Sequence, residues 1–128
     1  MPKKILIIDD DIDLVEAMRI TLEGAGFDVR DAQDGISGLE RAKRELPDLI
    51  LLDVMMGTQD EGFHVAYQIR RDEALRDIPI IMLTAVGQET GFRFDKEKDE
   101  DFLPVDEFLE KPVAPDRLIE VVKTHLGM

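Results

Sequence analysis

The sequence predicts an α/β fold: a doubly wound, five-stranded parallel sheet with helices on both faces. Three observations carry that expectation. Wholly apolar runs at residues 5–8, 49–52 and 80–83 read as strands buried on both sides, as in a parallel sheet rather than a half-solvated antiparallel one. Segments of helical periodicity fall between the runs. Their alternation along the chain calls for right-handed crossovers, which place helices on both faces of the sheet.

Taken in order, residues 5–8 are followed by Asp11, which suits a helix N-cap. Leu14, Val15, Met18, Leu22 and Ala25 then lie at helical spacing as far as a terminating Gly26. Residues 27–32 alternate apolar and polar side chains and read as an edge strand. Ile36, Leu39, Ala42 and Leu46 form a second helical stripe that stops before Pro47, and the third strand follows at 49–52. Phe63, Ala66, Tyr67 and Ile69 mark a third helix ahead of the strand at 80–83. Residues 105–109 alternate like the second strand and read as the other edge. Leu118, Ile119, Val122 and Leu126 define a last helix that Pro115 can begin. Between the last two strands, Phe92 and Phe94 stand two apart and no apolar residue follows until Phe102. No apolar face could dock a long helix there, so residues 87–104 predict a short or irregular one.

A length of 128 residues fits one domain over 1–128, large enough to fold around its own core without a disulfide or metal staple. The chain has no cysteine, which excludes disulfides, thiol catalysis and thiolate metal sites. The start of the sequence shows no apolar targeting stretch and no run is long enough to span a bilayer, leaving the cytoplasm as the default location and no membrane partner. A formal charge of −13 repels nucleic-acid phosphates, so no direct nucleic-acid binding is expected.

In such sheets ligands sit at the carboxyl ends of the strands. Reading only those ends gives Asp9, Asp10 and Asp11 after the first run, Asp53 after the third, Thr84 after the fourth, and Lys111 with Pro112 after the fifth. Each has an ordinary reading alone, as a cap, a turn former, a strand residue or a solvated charge. Together they demand more, because carboxylates within about 4 Å repel by about 4 kcal/mol per pair at a surface-like dielectric. Oxygen-only ligands in a partly open cluster suit Mg²⁺. A lysine and a threonine on the same rim suit a phosphoryl group.

The segments "KKILIIDDDIDL", "PDLILLDVMM", "IPIIMLTA" and "DEFLEKP" stand in the order and spacing of the signature segments of response-regulator receiver domains, which the chain resembles over nearly its whole length. The resemblance implies the flavodoxin-like strand order 2-1-3-4-5. It makes Asp53 the nucleophile, with Mg²⁺ bound by Asp10 directly, by Asp9 through water, by Asp53 and by the backbone carbonyl of Met55. Thr84 would follow the phosphoryl group, Lys111 would pair with it, Phe108 would take the aromatic switch position, and Pro112 would follow a cis bond. The implied partner is a sensor histidine kinase or phosphotransfer protein, the downstream target stays open, and a weak homodimer is compatible with the pattern. The product would be an acyl phosphate that later hydrolyses, so the chain is a phosphoacceptor rather than an enzyme acting on other molecules. No effector domain follows the last helix within these 128 residues, which leaves both a stand-alone regulator and a piece of a longer one open.

Rival readings fail at particular residues. An EF-hand starting at Asp9 needs glycine where Leu14 stands and a bidentate glutamate where Ile20 stands. A phosphatase of the haloacid-dehalogenase type would place a second aspartate at Met55. A flavin carrier needs a phosphate-binding loop and aromatic walls, whereas the chain has one Tyr and no Trp. The remaining alternative is a protein-binding module of the same fold whose switch ignores phosphorylation, against which the complete acid, Thr and Lys positions argue. Two departures from the family pattern are visible. After Met56 comes Gly57 instead of proline, with Glu61 inserted between Asp60 and Gly62, and Phe108 replaces the commoner tyrosine.

Overall fold

The computed structural model describes residues 2–54, 61–85 and 105–128. Its elements run β1 (Lys4–Ile8), α1 (Ile12–Gly24), β2 (Asp28–Ala32), α2 (Gly35–Glu45), β3 (Leu49–Asp53), α3 (Glu61–Arg71), β4 (Ile80–Ala85), β5 (Glu107–Lys111) and α4 (Pro115–His125). All strand pairings are parallel in the order β2-β1-β3-β4-β5. The two strands with alternating patterns are therefore the two edges. Residues 87–104, with their expected short or irregular helix, lie outside the described residues.

Alternation along the strands splits the core into two layers. Ile5, Ile7, Leu49, Leu51, Ile81, Leu83 and Leu109 face α1 and α4, meeting Met18, Leu22, Leu118 and Val122. Leu6, Ile8, Ile50, Leu52, Ile80 and Met82 face α2 and α3, meeting Ala42, Val65, Ala66 and Ile69. Each fully buried Ile or Leu contributes about 1.5–3 kcal/mol relative to exposure. The apolar runs read from the sequence are thus the middle layer of a three-layer molecule.

Local signals set the helix ends. The Asp11 side chain accepts the Leu14 N–H at 3.1 Å, Gly26 adopts φ +97° after α1, and Pro115 occupies the first turn of α4.

Three expectations need correction. In α2 the buried face is Gly35, Gly38 and Ala42, whereas Ile36 is 78% exposed and Leu46 sits in a left-handed cap, 55% exposed. The helix lies so close to the sheet that a Cβ at Gly38 would stand 2.7 Å from the Ile8 side chain. Glycines make this face, and a search for apolar side chains misses it. In α3, Tyr67 is exposed while Gly62 and Val65 are buried. The last strand begins at Glu107 rather than Val105, because the Asp106 carboxylate itself accepts the Ile80 N–H at 2.8 Å and an Arg70 N–H at 2.7 Å.

The β2 edge is closed by side chains. Asp28 donates its N–H to Lys3 and Ala32 accepts from Asp9, so residues 28, 30 and 32 turn to β1 while Val29 and Asp31 present their backbone groups outward. Arg19 of α1 donates to the Val29 carbonyl at 2.9 Å, and Arg41 of α2 donates to the Asp31 carbonyl at 2.9 Å. Arg19 also pairs with the Asp31 carboxylate. Unpaired edge carbonyls are templates for another strand. Replacing both arginines, Arg19→Met with Arg41→Met, is therefore expected to increase concentration-dependent association in sedimentation velocity, and a double variant that sediments like the parent would refute this role.

Candidate functional site

Among the described residues, the buried polar side chains are Asp9, Asp53 and Thr84, and all stand at the carboxyl ends of strands. Asp9 follows β1, Asp53 ends β3, and Thr84 is the penultimate residue of β4. Core positions flank each of them, so the sheet that buries the apolar runs also fixes these three groups.

Asp9, Asp10 and Asp53 each offer a carboxylate oxygen, and these oxygens lie within 4.8 Å of one another. Asp9 is fully buried and Asp10 exposed. One Asp9 oxygen accepts the Asp11 N–H at 2.9 Å. The other, Oδ2, has no partner in hydrogen-bond geometry among the described residues, although the Lys111 ammonium lies 3.0 Å away as an ion pair. The same ammonium is 3.2 Å from Asp53 Oδ1. Burial works against the charge on Lys111, but the Asp9 and Asp53 carboxylates outweigh it and hold its pKa above the ordinary lysine value. An oxygen-only set that includes a buried carboxylate oxygen without a hydrogen bond among the described residues fits a hard cation, and the cluster could hold a metal ion.

Asp53 pairs with Leu83, and Leu83 with Leu109. By alternation Asp53 and Lys111 lie on the α1/α4 side of the sheet, while Thr84 lies with Met82 on the α2/α3 side. Phe108, the register partner of Met82, is partly buried there, its ring centroid 6.4 Å from that of Phe63 in α3. The Lys111–Pro112 bond is cis. The structure thus brings Asp9, Asp10, Asp53 and Lys111 together and sets Thr84 and Phe108 on the other side of β4 and β5. Met55 lies outside the described residues.

Two contributors were not read from the sequence. The Asp11 backbone amide, which orients Asp9, is invisible to a search of side chains. The Glu61 carboxylate accepts the Gly35 N–H at 2.8 Å, a link across two helices that only the packing creates.

The response regulator receiver domain family matches residues 5–123. The chain belongs to that family. It is similar to the DNA-binding dual master transcriptional regulator RpaA of Synechocystis sp., with 44% identity over 98% of this chain and 49% of that protein. It also resembles the alkaline phosphatase synthesis transcriptional regulatory protein PhoP of Bacillus subtilis, at 40% identity over 98% and 49%. The chemotaxis response regulator CheY4 of Vibrio cholerae superimposes with a TM-score of 0.83 at 27% identity, covering 98% of this chain and 99% of that one.

These relatives correct the expectation that nucleic acid has no place among the partners, since RpaA is described as DNA-binding. The charge of −13 describes these 128 residues alone, and the receiver spans about half the length of RpaA and PhoP. Repulsion by an acidic receiver says nothing of the other half of such a regulator. Among the described residues, no helix is long and apolar enough to cross a membrane.

Removing the cation from the cluster should expose its repulsion. Lys111→Met is expected to destabilise the metal-free protein at pH 7 by about 2 kcal/mol, the scale of a hydrogen-bonded charge left without its partner, with millimolar Mg²⁺ restoring part of the loss. Because the folded-state pKa of Lys111 is raised, its contribution is fully present below the ordinary lysine value and is lost as pH rises through the raised one. Urea unfolding at pH 7 and in the alkaline range measures both effects, and equal stability of the two proteins at pH 7 would contradict them.

Proposed function

We propose that this receiver takes a phosphoryl group onto Asp53 and acts as a phosphorylation-controlled signalling switch. The observation that supports this reading most is the convergence of a buried strand-end aspartate with two further carboxylates and one ammonium. The donor is phosphohistidine on a histidine kinase. An Asp53 oxygen forms the new bond to phosphorus as the phosphorus–nitrogen bond breaks, and the departing imidazole keeps the electron pair and takes up a proton.

A carboxylate is a weak nucleophile towards an anionic donor, so the chain's contribution is positioning and charge. Asp53 is fixed at the end of a fully buried strand. The Lys111 ammonium, already 3.2 Å from Asp53, pairs with a phosphoryl oxygen once that group arrives. The Thr84 hydroxyl is the neutral donor for another. Asp9, Asp10 and Asp53 would hold Mg²⁺, with the Met55 carbonyl that the family resemblance implies, and the ion would supply neutralising charge for the phosphoryl oxygens. Thr84 and Phe108 share one face of the sheet, which suits them to pass the change to α3 and its neighbours. The chain promotes only its own phosphorylation and dephosphorylation. A binding module indifferent to phosphorylation is not favoured, since it would have no use for a buried acid cluster that costs stability.

Incubation with acetyl phosphate and Mg²⁺, read by intact mass, tests the assignment. One phosphoryl group should add to the parent protein, with none on Asp53→Asn, which keeps the shape and lacks the nucleophile. Labelling of that variant at the parent level, or labelling of the parent undiminished by a metal chelator, would sink this reading.

A further inference from the structure

The first two residues of α3, Glu61 and Gly62, are held from two directions. Gly62 donates its N–H to the Val54 carbonyl at 3.0 Å. No side chain fits at this position, because a Cβ on Gly62 would stand 2.7 Å from Val54 Cα and press on the Asp53 carbonyl. One residue earlier, the Glu61 carboxylate accepts the Gly35 N–H at 2.8 Å. Gly35 opens α2, and a Cβ there would meet Glu61 Oε2 at 2.8 Å and Val65 Cγ2 at 2.7 Å, displacing the Glu61 side chain or Val65. The two glycines therefore create a continuous line of contact from the start of α2, through Glu61 and Gly62, to the backbone of Asp53.

The first amides of α2 have no partner within the helix itself. The Asp34 side chain accepts the Ser37 N–H at 2.8 Å, and the Gly35 amide is left to Glu61. We propose that Glu61 is a positioning residue for the Asp53 site. By tying the first turn of α3 to α2, it holds Gly62 against the Asp53–Val54 peptide and so keeps the Asp53 carboxylate within reach of Asp9 and Asp10. The proposal rests on the reading of Asp53 given above. The role belongs to the acceptor oxygen at the end of a two-carbon arm, not to the charge. Gln keeps that oxygen and that length, Asp keeps the charge but falls short, and Ala has neither.

Calorimetric titration of the unphosphorylated protein with MgCl₂ separates these cases, with thermal melts in the absence of metal as the control on folding. Groups that orient metal ligands typically contribute 10–100-fold in affinity, so E61A and E61D are each expected to weaken Mg²⁺ binding about ten-fold and to slow labelling by acetyl phosphate. E61Q is expected to stay within about two-fold of the parent. Should E61A fail to fold, the E61D and E61Q pair decides alone. Parent-like Mg²⁺ affinity in E61D, with or without a lower melting temperature, would overturn the proposal, as would equal losses in E61Q and E61D. A parent protein that takes neither Mg²⁺ nor a phosphoryl group would instead refute the reading of Asp53, and the proposal with it.

Discussion

Three carboxylates gathered within 4.8 Å and one ammonium set against two of them form the arrangement on which the rest of this molecule depends. Like charges at that distance push apart with several kcal/mol at the dielectric of a protein surface. A sheet that could splay would relieve the strain by moving Asp53 away from Asp9. The strands oppose that motion, because Asp9 follows β1 and Asp53 ends β3, whose apolar side chains are buried on both faces and whose register sets Ile8 against Leu52 and Asp53 against Leu83. The apolar core is what makes an otherwise unfavourable charge cluster persist.

The same demand explains the tight packing of α2 and α3. Gly38 brings α2 down onto Ile8, immediately before Asp9, and Gly62 brings α3 onto the backbone of Asp53. A Cβ at either position would press on the Ile8 side chain or on the Asp53–Val54 backbone, just where the acids leave the sheet. The arginines serve the opposite end of the problem. Arg19 and Arg41 cover the outward Val29 and Asp31 carbonyls of β2, acceptors that would otherwise be open to a further strand.

Much of this was legible in the sequence, for identifiable reasons. Residues 5–8, 49–52 and 80–83 are apolar without interruption, and in a chain of this size only a doubly covered sheet consumes such runs. Strand ends are positions any α/β fold must bring to one rim, so Asp9, Asp53, Thr84 and Lys111 followed once the strands were placed. Glycine contacts were not legible. Ile36 carries an apolar signal and ends exposed, whereas Gly35 and Gly38 carry none and are buried, Gly35 against α3 and Gly38 against the sheet. The start of β5 was misread because the carboxylate of Asp106 does the work of a backbone acceptor, which no hydropathy pattern records. Glu61 escaped because its partner lies 26 positions earlier, a pairing set by how two helices converge. Nucleic acid is a different case, because the charge of −13 belongs to these 128 residues, which span about half the length of RpaA and PhoP.

Lys111 cannot balance every acid at once. Its ammonium is already shared between Asp9 and Asp53, and a charged group arriving on Asp53 would draw it from Asp9, leaving the fully buried Asp9 Oδ2 to another cation. Lys111 is also the last residue of β5, which among the described residues pairs on one side only, with β4. Three residues earlier the same strand carries Phe108 on the opposite face, against Phe63 of α3. A strand held along one edge is the part of a sheet that shifts at least cost, and alternation turns a displacement on one face into a displacement on the other. The charge balance at the rim and the aromatic contact beneath it are thereby parts of one mechanical element. Two states of such an element, each favoured by a different charge on Asp53, are what a switch requires.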